Sequence, residues 1–516
     1  MKKNILIASF AASMMLSGCV DLSQEPGSFL TPETMVYDQK TIEIMANGLY
    51  KDLWFGNYAY NCRSQILNVG ADDIITGSMS KRYKNIDELD VNSGLHDADV
   101  ELMWQNMYAV VRSANFMLKN VGNTQDVTEE VKNPYLGEAY FMRAFAYFTL
   151  VRYFGDVPAL TDPDCNVDIN GSRSIVRTSV KDIYDKIIVP DLKKAETLLP
   201  ERARTNDNSR AGRAAAKACL ADVYLTMAGW PLHLGQEYYE LARDKAKEII
   251  DHKDTKAYDL VKDYADLWKE AKKSDDTEHI FALNHDQENG TASNYGRSYY
   301  MIEESSSAWS DYLADAYFYE RHPKDARKDC NFVASFKMEG TVRPQSYKNT
   351  SMQSPAIKKY RDYTPVNSSG DVIMTAQTNG ITPIYRYAEV LLMYAEAQCQ
   401  AEGAPNSLAE ECLDGVRKRA SKNGNFTSSK GLGKEEFLQA VFDERGWEFF
   451  AEFKRWFHLI RTEKVVEANS YNPRVKEAIA AKGLSDQDTD DKKKTYYWMP
   501  LPVQEVQLNG FEQNPR

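Results

Sequence analysis

Glu444, Glu448 and Glu452 recur every four residues in DERGWEFFAEFKRWF, a spacing that stacks three carboxylates along one face of a helix. Close carboxylates are the tools of general acid and base chemistry, but like charges at this spacing repel by a few tenths of a kcal/mol per pair. Arg445 and Arg455, each three residues from one of the acids, or an arginine of a neighbouring helix such as Arg386 or Arg417, would offset them. The set therefore reads as a structural ion-pair network, with a lipoprotein glycosidase built on these acids as the lesser reading. Asp162, Asp164, Asn166 and Asp168 alternate as calcium ligands do, yet Val167 stands where such a loop needs glycine and Arg173 where it needs glutamate. The stretch reads as a solvated loop.

A different chemistry is suggested by Asn294, Tyr295, Arg297, Tyr299, Tyr300 and Trp309, which fall within sixteen residues, and by Arg82, Tyr83 and Asn85. Flat aromatic faces stack on the apolar faces of sugar rings, while amide and guanidinium groups serve the hydroxyls. Trp309 is the first choice, because it sits in a polar segment beside Ser305, Ser306 and Ser307. Tyrosine and tryptophan are more often core than platform, so each of these residues is a candidate and no more.

No P-loop, GxGxxG, HExxH or GxSxG occurs, and His96, His233, His252, His279, His285, His322 and His458 show no ligand spacing. Neither a cofactor nor a metal is expected. Cys62, Cys165, Cys219, Cys330, Cys399 and Cys412 form no CxxC pair, which argues against structural zinc. Cys219 reads as a small core residue, whereas Cys399 and Cys412 lie near the ends of adjacent helical segments and could meet in a disulfide.

Helices must position these groups. In residues 211 to 250, Ala218, Ala221, Tyr224 and Leu225 are followed by a Gly229-Trp230-Pro231 turn and then Tyr239, Ala242, Ala246, Ile249 and Ile250, which predicts a helical hairpin. Residues 384 to 420 repeat the scheme around Gly403-Ala404-Pro405, and Ala139, Met142, Arg143, Ala146, Tyr147 and Leu150 supply another such helix. Small residues admit a close neighbour while large ones fill the space beside it, the packing logic of tetratricopeptide hairpins. The expected class is mainly α: a tetratricopeptide-like framework over about 40–60, 100–255 and 380–460. Loop-rich segments over about 62–99 and 255–380 would lie together over one side, where loops on a rigid frame carry binding residues.

The chain of 516 residues carries a net charge of -12 and no basic run interleaved with aromatics, so nucleic acid is excluded as a partner. At the N-terminus, Lys2 and Lys3 precede an apolar stretch from Ile5 to Leu16, too short to span a bilayer. Its end, Leu16-Ser17-Gly18-Cys19, resembles the lipobox of bacterial lipoproteins. Residues 1–18 then form a signal peptide, Cys19 carries the lipid, and 19–38 form a polar tether to one domain over 39–516. No later segment reaches eighteen uninterrupted apolar residues.

Several separate motifs agree on a family. Asp21-Leu22 with Gln24-Glu25-Pro26 follows the lipobox, and Trp104, Tyr108, Ala114 and Asn115 mark a first helix. Arg143, Ala146 and Tyr147 lead into Phe154-Gly155-Asp156-Val157-Pro158, and Arg213, Ala218, Ala221 and Tyr224-Leu225 follow. Next come Arg386, Ala388-Glu389-Val390-Leu391-Leu392-Met393 and Ala395-Glu396-Ala397, then Glu444-Arg445 with Glu448, Glu452 and Arg455. Trp498-Met499-Pro500-Leu501-Pro502 and Gln513-Asn514-Pro515 close the series. Across nearly its whole length the chain resembles the SusD-like (RagB/SusD) outer-membrane nutrient-binding lipoproteins. It departs at Trp456 and His458-Leu459, and no Gly-Tyr follows Asn514-Pro515. The resemblance implies a non-enzymatic, surface-exposed lipoprotein, anchored in the outer membrane through Cys19. Such a protein captures oligosaccharides, or alternatively peptides, and delivers them to a SusC-like TonB-dependent transporter. Ligand residues vary among members and do not transfer.

Overall fold

The structure is a computed structural model that describes residues 35–54, 68, 70–77, 86–89, 93–162, 175–291, 293, 295–337, 343–361, 378–488 and 494–514. Cys19, Arg82, Tyr83, Asn85 and Asn294 lie outside the described residues, as do the signal segment, most of the tether and the acidic loop beyond Asp162.

Helix Gln39–Lys51 packs on Ser93–Asn123 and Glu129–Phe154, which lie against each other. Val189–Leu198 joins Glu129–Phe154 to Arg213–Ala228, and the latter pairs with Gln236–Ile250 across the predicted turn. Gln236–Ile250 then lies along Tyr387–Glu402, which pairs with Ser407–Ala420 and Lys434–Glu448. This is the mainly-α, tetratricopeptide-like framework that the residue spacing predicts. Ala218, Ala221, Ala242, Ala246, Ala395 and Ala397 have no exposure, so backbones approach closely at these positions while larger residues interdigitate around them. Asn406 starts the helix Ser407–Ala420, its Oδ1 accepting from the Ala409 N–H at 2.8 Å. One apolar core runs from Tyr37 to Phe511. No helix of the described residues is long and apolar enough to cross a membrane.

The chain leaves this framework after Gln236–Ile250 and returns to it at Tyr387–Glu402. At the base, strand His279–Asn284 pairs antiparallel with Ile381–Arg386, from Ile381 opposite Asn284 to Arg386 opposite His279. Residues 381–386 are thus strand, not the start of the predicted helical segment. Pro383 lies opposite Ala282, just before the register becomes irregular.

The two loop-rich segments do come together. Ile74–Thr76 from the first pairs antiparallel with Tyr312–Ala314 of the second, and Ala356–Ile357 and Phe332–Val333 complete a four-stranded sheet. Beneath it lies a small separate apolar cluster of Ile75, Met301, Leu313, Phe336 and Ala356. Just beyond the first strand, a Cβ on Gly77 would sit 1.5 Å from the Ser310 carbonyl oxygen, so only glycine allows the approach.

Candidate functional site

Trp309 is partly exposed on a loop that is fixed at both ends. Its N–H donates to the Arg297 carbonyl at 2.9 Å, and the Ser310 N–H donates to the Tyr300 carbonyl at 3.1 Å. The Ser310 hydroxyl accepts from the Ile302 N–H at 2.6 Å. Asp311 ties the loop outward, its carboxylate accepting from the Ser298 hydroxyl at 2.9 Å and its carbonyl from the Gly77 N–H at 2.9 Å. Ser310 itself is held in a left-handed conformation (φ 48°), a strain that persists only where surrounding bonds over-determine the backbone. The Arg297 guanidinium carbon lies 5.4 Å from the centroid of the Trp309 ring. Its buried Nε has no hydrogen-bond partner among the described residues. A partly exposed indole with a guanidinium over its ring is chemistry suited to a neutral polyhydroxylated ligand.

Tyr295, Tyr299 and Tyr300 are placed differently. Tyr295 and Tyr299 are 1% and 0% exposed. Their rings stack on each other at 5.2 Å and on Tyr360 at 4.6 and 5.8 Å. No ring face remains for a sugar. Tyr300 is buried, and the Arg361 guanidinium carbon covers its ring at 3.7 Å, fixed by Glu304 at 2.8 and 2.9 Å. These tyrosines are core, because the short helix Tyr295–Tyr299 is pressed under the insertion instead of standing on its surface.

The same insertion holds a cleft of about 880 Å³, lined by Trp268, Tyr295, Tyr360, Lys273 and Lys358 among others. That volume and mainly apolar lining surface fall in the range of small-ligand sites. The Trp268 indole N–H is buried with no hydrogen-bond partner among the described residues. Sequence reasoning passed over Trp268 and Tyr360; their place in the loop-rich segment was the available signal.

Glu444, Glu448 and Glu452 are buried, and arginines and a lysine surround them. Arg327 reaches Glu444 at 2.5 Å and Glu448 at 3.1 Å, Arg386 reaches Glu448 at 2.9 Å and Glu452 at 2.8 Å, and Lys359 reaches Glu452 at 2.6 Å. Arg417 pairs with Glu444 at 3.1 Å, and Arg419 bridges Glu448 and Glu278. Burial alone would raise the Glu448 carboxyl, but Arg419, Arg386 and Arg327 outweigh it and hold Glu448 well below the usual range. Glu452 is lowered likewise by Arg386 and Lys359 against its own burial. Carboxylates kept ionised and fully engaged cannot trade protons near neutrality.

Two details correct the sequence reading. The helix ends at Glu448, and left-handed Ala451 and Phe453 turn the chain, so Glu452 is not the third member of one helical row. Arg445 and Arg455 also point elsewhere: Arg455 pairs with Asp72 at 2.7 Å and Arg445 stands 3.6 Å from Glu389. Cys219, Cys330, Cys399 and Cys412 are free thiols, with Cys399 Sγ facing the Lys434 carbonyl, so Cys399 and Cys412 are not joined. Among the described residues no cluster of three or more His, Cys, Asp or Glu is arranged to hold a metal.

Residues 200–516 match the SusD family, and residues 23–225 match a family described as "Starch-binding associating with outer membrane". The chain belongs to the SusD family. A SusD-like protein of Formosa agariphila is 27% identical over 98% of both chains. Among solved structures, a SusD superfamily protein from Parabacteroides distasonis is 27% identical, with a TM-score of 0.77 over 93% of this chain and 99% of that one. The surface glycan-binding protein A of Bacteroides thetaiotaomicron, in complex with laminarihexaose, shares the fold at 20% identity, with a TM-score of 0.71 over 92% and 99% of the two chains.

In this SusD-family chain the recognisable motifs are framework. Phe154-Gly155-Asp156-Val157-Pro158 closes the helix Glu129–Phe154 with Gly155 at φ 70°, where a Cβ would press on the Trp498 ring at 3.0 Å. Asn514 then donates to the Phe154 and Met499 carbonyls at 2.9 and 2.8 Å, clasping the C-terminal segment to the motif. Such residues identify the SusD fold without touching Trp309 or the cleft.

Proposed function

We propose that the protein is a lipid-anchored outer-membrane component that captures oligosaccharides at the surface and hands them to a SusC-like TonB-dependent transporter. Trp309 carries this reading: of the described aromatics singled out in the sequence, it is the one that is not buried, and the Arg297 guanidinium lies over its ring. The apolar cleft that includes Trp268 and Tyr360 in its lining supports the same ligand class. SusD family membership supports it too, as does the shared fold with a glycan-binding protein in complex with laminarihexaose. Cys19 would carry the lipid, residues 19–38 the tether, and residues 39–516 the single binding domain. Arg82, Tyr83, Asn85 and Asn294 remain candidate contributors from the two loop-rich segments.

Calorimetry against a panel of oligosaccharides, laminarin fragments included, is the direct test. Binding that weakens at least tenfold in Trp309→Ala supports the reading. Absence of binding to every glycan, together with binding to peptides, would replace the ligand class. For the anchor, Cys19→Ala should move the protein from the membrane to the soluble fraction, and protease treatment of intact cells should digest the native protein.

A further inference from the structure

Two tyrosines far apart in sequence stand exposed around one arginine. Tyr317 is 44% and Tyr471 60% exposed, and no other exposed large apolar side chain among the described residues belongs to either stretch. Tyr317 and Arg321 lie four apart on the helix Ala316–Arg321 and so share a face, and the Arg321 guanidinium carbon lies 4.6 Å from the centroid of the Tyr471 ring. Buried Phe318 pins that helix inward, its ring 5.7 Å from that of Phe450. Asp315 locks the two stretches together: one carboxylate oxygen accepts from the Phe318 N–H at 2.8 Å and the other from the Asn472 side-chain amide at 2.7 Å. Asn469 secures the turn that bears Tyr471, its carbonyl accepting from the Asn472 N–H at 3.0 Å and its side-chain amide donating to the Gly70 carbonyl at 3.0 Å. Rings on segments fixed in this way meet a ligand with little ordering cost.

The polar groups of this cluster are reachable and unspent. Neither tyrosine hydroxyl forms a hydrogen bond with a described residue, and the Arg321 side chain, 40% exposed, has an ion pair with Asp72 at 3.6 Å and no hydrogen bond among the described residues. Asp72 is itself gripped by Arg455 at 2.7 and 3.1 Å. Asp315 and Asp443 also feel the Arg321 charge, so acids outnumber guanidinium groups here and no positive charge is left over to draw an acidic ligand. A stable protein partner covers about 800 Å² per side, whereas two rings and one guanidinium suit a few sugar units. Trp309 stands three residues before the strand Tyr312–Ala314 and Tyr317 three residues after it. Eight residues at about 3.3 Å each therefore separate the two by at most about 26 Å.

We propose that Tyr317, Arg321 and Tyr471 form a second platform for neutral sugar residues, separate from Trp309 and engaged by glycan chains long enough to reach both. The inference rests on the protein being a glycan binder and adds a dependence on chain length: a chain held at one platform presents itself to the other at high effective concentration.

Affinity electrophoresis through gels containing laminarin or soluble starch reads binding of the long chain, and calorimetry with short fragments of the same polysaccharides reads binding at one platform. Replacing both tyrosines, Tyr317→Ala with Tyr471→Ala, should weaken polysaccharide binding at least tenfold while the fragment affinity and the melting temperature stay unchanged. Unchanged polysaccharide binding in that variant, with binding lost in Trp309→Ala, overturns the second platform and leaves the first standing. An equal loss for fragments and polysaccharide, with a lower melting temperature, shows a structural role and overturns it too. If the native protein binds neither polysaccharide nor any fragment, the glycan reading itself fails and takes this one with it.

Discussion

Arg386 and Glu448 meet at 2.9 Å with neither side chain exposed, and this contact joins the last strand of the insertion to the end of a framework helix. Through Glu452 and Glu278, each within 2.8 Å of Arg386, the same guanidinium binds three acids from separate stretches of chain. Removing one partner strands charge in the interior, so Arg386→Met and Glu448→Gln should each destabilise the protein by about 3–5 kcal/mol in chemical denaturation. Loss of less than 1 kcal/mol in both would refute this role for the network.

That network also sets an acid limit. Glu448 and Glu452 have depressed native carboxyls, so their stabilisation is present above the unfolded value of about 4.3 and is lost as pH falls below it. Buried His279, His285 and His322, lowered by burial first to about 4, 3 and 4, withdraw stability in the same direction from about pH 6.5 downward. Melting temperature should therefore fall steeply on acidification below about pH 5, and Glu448→Gln should shallow the part below 4.3.

Asp73 acts with the opposite sign. Burial, reinforced by Asp72, raises its carboxyl to about 7, while Arg455 and the Ala451 N–H only partly compensate. The stability it contributes is complete below about pH 4 and is lost as pH rises towards 7. Asp73→Asn should be more stable than the native protein at pH 8, by a few kcal/mol at most, and lose that advantage at pH 4. An unchanged difference between the two pH values would contradict the raised carboxyl.

Gly77→Ala places a methyl group against the Ser310 carbonyl oxygen. It should cost roughly 3 kcal/mol, the upper end for overpacking, and weaken glycan binding while far-UV circular dichroism stays helical. Retained affinity would detach the Trp309 loop from that sheet.

The predicted ligand residues separate by burial. Tyr295→Ala should cost about 3–5 kcal/mol as a core deletion, whereas Trp309→Ala should leave stability unchanged and reduce affinity at least tenfold. Trp268→Phe, which keeps an apolar ring but removes the N–H, should weaken binding a few-fold. Equal effects on folding and binding from all three would erase the distinction.

The framework was legible because it is local: alanines such as Ala218 and Ala242 recur at helical spacing, and that spacing alone fixes the buried face. The acids were legible as an ion network for the same reason. Two of their partners, Arg386 and Arg417, were legible too; the others were not, since Arg327 and Lys359 come from the insertion and Arg419 pairs across from another helix, contacts that no sequence interval encodes. Arg455 misled because a three-residue interval means adjacency only within an unbroken helix, and this one stops at Glu448, whereas Arg445 shares that helix with Glu448 but faces Glu389 of the neighbouring helix. Tyr295 and Tyr299 misled by composition: a polar neighbourhood concealed a stack formed with Tyr360, far along the chain.

Because His279–Asn284 and Ile381–Arg386 are zipped antiparallel, nearly a hundred residues depart and come back through adjacent points on the framework. A stretch bracketed in this way can lengthen, shorten or change its surface while the helices below keep their spacing, since the entropy of closing a longer loop grows only slowly with its length. The outer surface of the insertion is therefore free to vary, but its inner side is not: Arg327 and Lys359 neutralise Glu444, Glu448 and Glu452 of the framework, so an engineer who exchanges 285–380 between relatives has to carry those two cations across.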